Sequence, residues 1–383
     1  MRYRWAVLAA GSTAMASAAV LFVGLPVLAP TLREEYDLSL SGVGVLLAAA
    51  WVGGTLTLLP WGLAADRYGE RLVMAAGLAG CAGCVAGAAF APRAAVLGMF
   101  LVLAGASGAS VNAASGRAVM QWFGPNERGL ALGVRQTAIP VGGFVAALAL
   151  PAIAGGGGSQ AALLFTAALC GAGAVVSAVV LRDRPSAHEL EAASVLGTLR
   201  DTRLWRLSLG SGLYLYSQLA VIGFGVLFLH DEHGFSDGRA ALVVAAAQVL
   251  GAIFRIGGGR WSDVLGRRVV LLRGVGLAIA AALGVVAALA GGPVWLLVPS
   301  LALAGGLSMA WNGLSFTTAA ELAGARRSGA ALGFQQTVLS GAGVVAPVLF
   351  AASVSAASWP LAFALAAVFP LAGWLVLGAL REH

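Results

Sequence analysis

The sequence predicts an all-α integral membrane protein, with twelve transmembrane helices in two pseudo-symmetric six-helix bundles and both termini on the cytoplasmic side. Three observations carry this. Of 383 residues, 60% are hydrophobic and only 10% are charged, against roughly 25% charged in a typical soluble domain. A chain of this length cannot hide that much apolar surface from water, so its solvent must be lipid. Apolar runs long enough to cross a bilayer recur along the chain, and motifs of the first half return in the second at a nearly constant offset.

Taken in order, the first span is placed at 5–30. Its opening, "MRYRWAVLAAG", has the charge pattern of a signal peptide. The apolar run is too long for one and many more follow, so it is read as a retained helix. Spans at 39–64, 71–90, 94–122, 128–153 and 160–182 complete the first half, broken by short charged or Gly/Pro turns. The second half holds 204–230, 238–261, 268–290, 293–321, 327–353 and 359–380. The longest polar piece, "DRPSAHELEAASVLGTLRDTR", is the linker 183–203, with room for a short surface helix. The expected domains are therefore 1–182 and 204–383.

Arginine placement sets the orientation. All 23 basic residues are arginines, and with both termini inside, 17 fall on the inner side against Arg33, Arg93 and Arg239 outside. Inner loops rich in arginine are the pattern of a cytoplasmic face. They also account for the pI of 10.1 without a nucleic-acid partner. The three remaining arginines, Arg117, Arg135 and Arg255, fit no loop.

The internal repeat is explicit. "GLAADRYGERL" (62–72) and "GRWSDVLGRRV" (259–269) share Gly62/Gly259, Asp66/Asp263, Gly69/Gly266 and Arg71/Arg268 at a constant shift of 197. "ALGVRQT" (131–137) and "ALGFQQT" (331–337) match at a shift of 200, which Asn112 and Asn312 keep. Two parallel halves of six helices make up a transporter built from repeats.

On these residues the chain resembles the major facilitator superfamily of secondary transporters. The resemblance covers nearly the whole length and rests on the G-x-x-x-D-x-x-G-x-R loop of Gly62, Asp66, Gly69 and Arg71, echoed by Gly259, Asp263, Gly266 and Arg268. It implies a gate: an ionic lock at helix ends that holds one conformation closed toward the cytoplasm and releases in each cycle. Two departures argue against the drug–proton antiporters of that superfamily. Leu101 stands where their fourth-helix arginine is expected, and "TAIPVGG" (137–143), with Pro140, Gly142 and Gly143, matches their fifth-helix motif only in part.

No Asp or Glu lies well inside any span. An ionisable residue at membrane depth costs at least roughly 2.5–3.5 kcal/mol, so buried arginines without carboxylates at their depth suit an anionic ligand. Arg255 precedes Asp263 by eight residues and Arg135 follows Glu127 by eight, which puts both about 12 Å from the inner end of their helices. Arg117, five residues before Trp122, is placed at the cytoplasmic end. The resemblance implies that the fifth and eighth helices line one central cavity, so Arg135 and Arg255 would clamp a ligand from both halves. Arg255 also resembles the eighth-helix arginine of the oxalate–formate, monocarboxylate and nitrate branches; nitrate carriers have a second-helix counterpart, which here is Leu58. The competing reading of Arg255 is a side chain that snorkels to the surface or bonds helix carbonyls.

Further ligand contacts are expected from Gln136, Gln336, Tyr214, Gln218, Asn112 and Asn312, with Trp311 as a cover and Tyr216 near them. Tyr214 and Gln218 are four apart and share a helix face. For each, helix packing or a hydrogen-bond bridge is the competing role. His230 and His233 sit beside Asp231 and Glu232 as a solvated cluster. Cys81 and Cys84 form a lone C-x-x-C without the second pair or nearby His of a metal set, and with Cys170 they read as packing residues. With no phosphate loop, metal motif or catalytic triad, no cofactor and no enzyme is expected. The expected function is secondary transport of a small organic anion across a bacterial inner membrane by a monomer. A proton travelling with the anion, exchange for a counter-anion, or the gating Asp66 would supply the coupling; the alternative is a drug or metabolite efflux pump of the same fold.

Overall fold

A computed structural model describes residues 3–123, 127–183, 197–324 and 327–380. The linker helix expected near 183–203, and Arg2, Arg184, Arg326 and Arg381, lie outside the described residues in whole or part. The chain divides into two compact units, Met1–Leu38 with Leu46–Glu189, and Ser39–Val45 with Leu190–His383.

The first unit holds α1 (Tyr3–Val27), α2 (Ala29–Glu35), most of α3 (Leu40–Tyr68), α4 (Glu70–Ala88), α5 (Ala94–Trp122) and α6 (Arg128–Val180). Small residues set the helix spacing, as expected where lipid supplies no hydrophobic drive between helices. A Cβ on Gly105 of α5 would fall 1.9 Å from the Ala50 carbonyl oxygen of α3; only glycine allows that approach. Val7, Ala14, Met15, Leu78 and Val111 form the core between α1, α4 and α5.

The spans expected at 128–153 and 160–182 are joined in α6, where Gly157 and Gly158 alone leave helical geometry. Gly158 takes φ +65°, open to glycine without strain. The helix restarts at Ser159, whose backbone N–H donates to Glu35 Oε1 at 2.8 Å while its hydroxyl bonds the same carboxylate. A carboxylate at a helix start satisfies orphan N–H groups and meets the positive end of the dipole. The first span likewise ends early, at Val27, because α2 follows as a separate short helix carrying Glu35.

The second unit holds α7 (Thr202–His233), α8 (Asp237–Leu265), α9 (Arg268–Leu289), α10 (Val294–Leu307), α11 (Trp311–Ala323), α12 (Ser328–Ala356) and α13 (Trp359–Gly378). Asp201 caps α7 by accepting from the Arg203 N–H at 3.0 Å, and the Arg203 guanidinium bonded to it holds its carboxyl below the usual range. Phe224, Phe228, Phe350, Trp359 and Phe363 stack between α7, α12 and α13.

The span expected at 293–321 is broken. Between α10 and α11 the N–H groups of Met309 and Ala310 bond back three residues, to Gly306 and Leu307, the tighter 3₁₀ winding. Met309 N–H thereby abandons the Gly305 carbonyl, and Ser308 Oγ donates to it instead at 2.7 Å. Eleven helical stretches among the described residues are long and apolar enough to cross a membrane, with α10–α11 counted as one and Ala131–Val180 as another.

Candidate functional site

Each unit buries one arginine in the middle of its polar contacts. Arg135, on α6, is 7% exposed and donates from Nε to Ser115 Oγ at 2.8 Å. The Ser115 hydroxyl in turn donates to the Val111 carbonyl, so it serves as acceptor for one group and donor to another. Gly116 lies close to the same guanidinium, where a Cβ would make an ordinary 3.8 Å contact. Gln136 on the same helix and Asn112 on α5 are half-buried.

Arg255, on α8, is 6% exposed and donates from Nε to the Met309 carbonyl at 3.1 Å. Asn312 Nδ2 donates to the same carbonyl and to Gln218 Oε1, both at 3.2 Å. The break between α10 and α11 thus presents one backbone oxygen to an arginine and an asparagine, and α7 joins through Gln218. Of the two readings of Arg255, the contact observed is the bond to a helix carbonyl, made deep inside the unit.

The repeat offset of 200 carries a contact as well as residues. Gln335 Nε2 donates to Ser315 Oγ at 2.5 Å, matching Arg135 and Ser115, and Ser315 Oγ also lies 2.5 Å from Ser211 Oγ. Arg135 therefore occupies a place that the second repeat fills with a neutral amide. Arg255 does the converse, since its counterpart Leu58 is a buried apolar side chain.

Tyr214 parts from the group with which the sequence placed it. Its ring is fully buried and its hydroxyl lies where Gly276 of α9 has no side chain: a Cβ there would be 2.2 Å away. Gly373 of α13 makes room for the same ring. Tyr214 and Gln218 share a helix, but one fills the contact of α9 and α13 while the other bonds α11. Tyr216 stacks on Phe369 at 3.7 Å between centroids. Trp311 is buried at the start of α11, and Gln336 is half-buried on α12. Cys81 meets Cys170, not Cys84, with the sulfurs 3.9 Å apart.

The two motif turns carry ion pairs of opposite layout. In the first unit Gly69 turns at φ +83°, Asp183 packs over it, and the Arg71 N–H donates to Asp183 Oδ1 at 2.8 Å. Asp66 pairs with Arg117, and Glu70, only 3% exposed, pairs with Arg117 at 2.9 Å and accepts from Gln121 at 2.8 Å. Arg117, expected without an acidic partner, thus has two. In the second unit Gly266 ends α8 in the left-handed region, and Arg268 holds Asp263 at 2.8 Å and both Glu321 oxygens at 2.8 and 2.9 Å. The guanidinium sits on α5 in one unit and at the turn in the other. Gly62 and Gly259 face open space.

Sequence reasoning missed Glu70, Asp183, Glu321, Ser115, Ser315 and the Met309 carbonyl. The serines were detectable, since they keep the 200 offset three residues beyond Asn112 and Asn312. A backbone oxygen freed by a helix break has no sequence letter.

Paired repeats of apolar helices with polar groups inside define a multi-pass membrane transporter of small molecules. The family model described as Major Facilitator Superfamily matches residues 8–347, and the chain belongs to that superfamily. An uncharacterised MFS-type transporter of Mycobacterium tuberculosis is 36% identical over 375 residues, covering 96% of this chain and 83% of that protein. The uncharacterised transporter YybO of Bacillus subtilis is 31% identical over 109 residues, 28% of this chain and 25% of its own. Among solved structures, a bacterial homologue of the human lysosomal transporter Spinster, inward-facing and unoccupied, superposes with TM-score 0.79 at 18% identity over 98% of this chain and 95% of that one. The nucleoside transporter NupG gives 0.76 at 14% identity over 98% and 99%.

Proposed function

We propose that this transporter moves a small organic anion across a bacterial inner membrane by alternating access, with Arg135 and Arg255 as counter-charges. The observation that carries this reading is the burial of the two guanidiniums, 7% and 6% exposed, in apolar helices. A charge kept there against a cost of a few kcal/mol points to function. Gln136, Gln336, Gln218, Asn112 and Asn312 add hydrogen bonds. The topology is twelve spans with both termini inside, α6 supplying two spans, and the paired turns at Asp66 and Asp263 act as gates. Coupling comes from a proton travelling with the anion or from exchange, because no carboxylate lies well inside a span. The protein acts as a monomer.

The test is reconstitution. Carboxylates should raise the melting temperature of the purified protein, as any ligand that prefers the native state does. Flux of the stabilising anion into liposomes should collapse in Arg255→Gln while the variant still inserts. Normal flux in that variant would end the counter-charge reading, and stabilisation by hydrophobic cations alone would favour efflux.

A further inference from the structure

Gln248 lies on α8 seven residues before Arg255. Seven residues make nearly two turns, so the two side chains share one stripe of the helix, about 10 Å apart along its axis. Gly251 sits between them and faces the break: a Cβ there would come within 2.5 Å of Met309 Sδ. The stripe therefore lies along the turn whose carbonyl Arg255 holds.

Gln248 is 1% exposed, and neither its amide nitrogen nor its amide oxygen has a hydrogen-bond partner among the described residues. Buried polar groups are normally satisfied, and an orphaned amide destabilises the fold that carries it. Leucine has similar volume and would lack that penalty. An unsatisfied donor and acceptor, kept about 10 Å along the same stripe from a buried cation, are what a site reserves for a ligand group that is itself donor and acceptor.

We infer that Gln248 is the second ligand contact on α8: Arg255 takes the anionic head, and Gln248 takes a neutral amide or hydroxyl further along the molecule. The substrate is then an elongated anion bearing such a group, and not a bare anion of formate size. The inference rests on the anion reading of Arg255.

The experiment compares three probes on the full-length protein by thermal-shift titration: acetate, hexanoate and N-acetyl-6-aminohexanoate. The acetamide probe should bind about 10-fold more tightly than hexanoate, the worth of one well-made hydrogen-bonded group. In Gln248→Leu that ratio should fall to about one with hexanoate binding unchanged, and the unliganded melting temperature should rise by about 2 °C. Should the leucine variant fail to fold, Gln248→Met reads the same ratio. A preserved preference for the acetamide probe removes Gln248 from the site, and a fall in melting temperature in both variants shows an amide held by the protein itself; either outcome overturns the inference. Loss of all binding in Arg255→Gln alongside either result would leave the anion reading standing. If no probe stabilises the native protein, or if Arg255→Gln binds all three normally, both fall together.

Discussion

α5 and the α10–α11 pair are one element in two copies, and they differ in a single turn. α5 runs unbroken from Ala94 to Trp122; at the repeat offset of 200, the second copy stops at Leu307 and restarts at Trp311. Both copies are pinned through a backbone carbonyl to the second long helix of their repeat. In the first, Thr57 Oγ1 and Trp61 Nε1 donate to the Ala106 carbonyl at 2.7 and 2.6 Å. In the second, Arg255 donates to the Met309 carbonyl at 3.1 Å. A neutral pin holds a continuous helix and a charged pin holds a broken one. An anion competes with a carbonyl for a guanidinium more effectively than for a threonine hydroxyl or an indole N–H, because a charge-assisted hydrogen bond is roughly twice as strong as a neutral one. On the anion reading proposed above, the break is the element whose contact with Arg255 a ligand would weaken, and the unbroken copy offers no such charged contact.

The largest difference between the copies should lie in their ion pairs. Arg117 serves Glu70, whose side chain is 4% exposed, whereas Arg268 serves Glu321 and Asp263, exposed at 54% and 65%. Removing one partner of a buried pair strands the other charge and costs about 3 kcal/mol or more; an exposed pair is worth about 1 kcal/mol or less. Arg117→Ala should therefore lose about 3 kcal/mol in unfolding experiments in detergent, and Arg268→Ala less than about 1 kcal/mol. Equal losses would show that the two turns are equivalent locks despite their layout.

A middle-sized effect comes from making the copies alike. Arg135→Gln gives the first repeat the residue found at 335, and the new amide can donate to Ser115 as Gln335 does to Ser315. Folding should be retained. Affinity for a stabilising carboxylate should fall about 10- to 100-fold, the range of one charge-assisted hydrogen bond. Unchanged affinity in the thermal-shift titration would confine the counter-charge to Arg255.

The architecture was legible because bilayer thickness and the repeat are written as runs and spacings. The paired motif turns were legible through the same repeat, with Asp66 and Asp263 each finding an arginine. What stayed hidden depended on backbone state or on distant packing. Nothing in "GGLSMAWN" marks the change to three-residue hydrogen bonds at Met309, because its φ and ψ neighbours stay near helical values. Tyr214 looked like a cavity residue by helix face, and only the absence of side chains at Gly276 and Gly373, on two other helices, explains where its ring goes. Arg117 looked unpaired because its acids lie 51 and 47 residues upstream.

The smallest effect probes the break itself. Ser308 satisfies the Gly305 carbonyl that Met309 N–H has left, and its counterpart in the unbroken copy is Gly108. Ser308→Ala removes that donor and should cost about 1 kcal/mol. The Gly305 carbonyl then regains a partner most directly by taking back the Met309 N–H, which draws the turn toward regular helix and its carbonyl away from Arg255. Carboxylate affinity should accordingly rise a few-fold. Gly108→Ser is the control: a Cβ there would meet only Cys81 Sγ at an ordinary 3.5 Å, and inside a continuous helix its hydroxyl has no vacated carbonyl to serve. It should stay within about 0.5 kcal/mol of the parent with carboxylate affinity unchanged. If the two variants behaved alike, the break would be an incidental kink and not the addressable element of the second repeat.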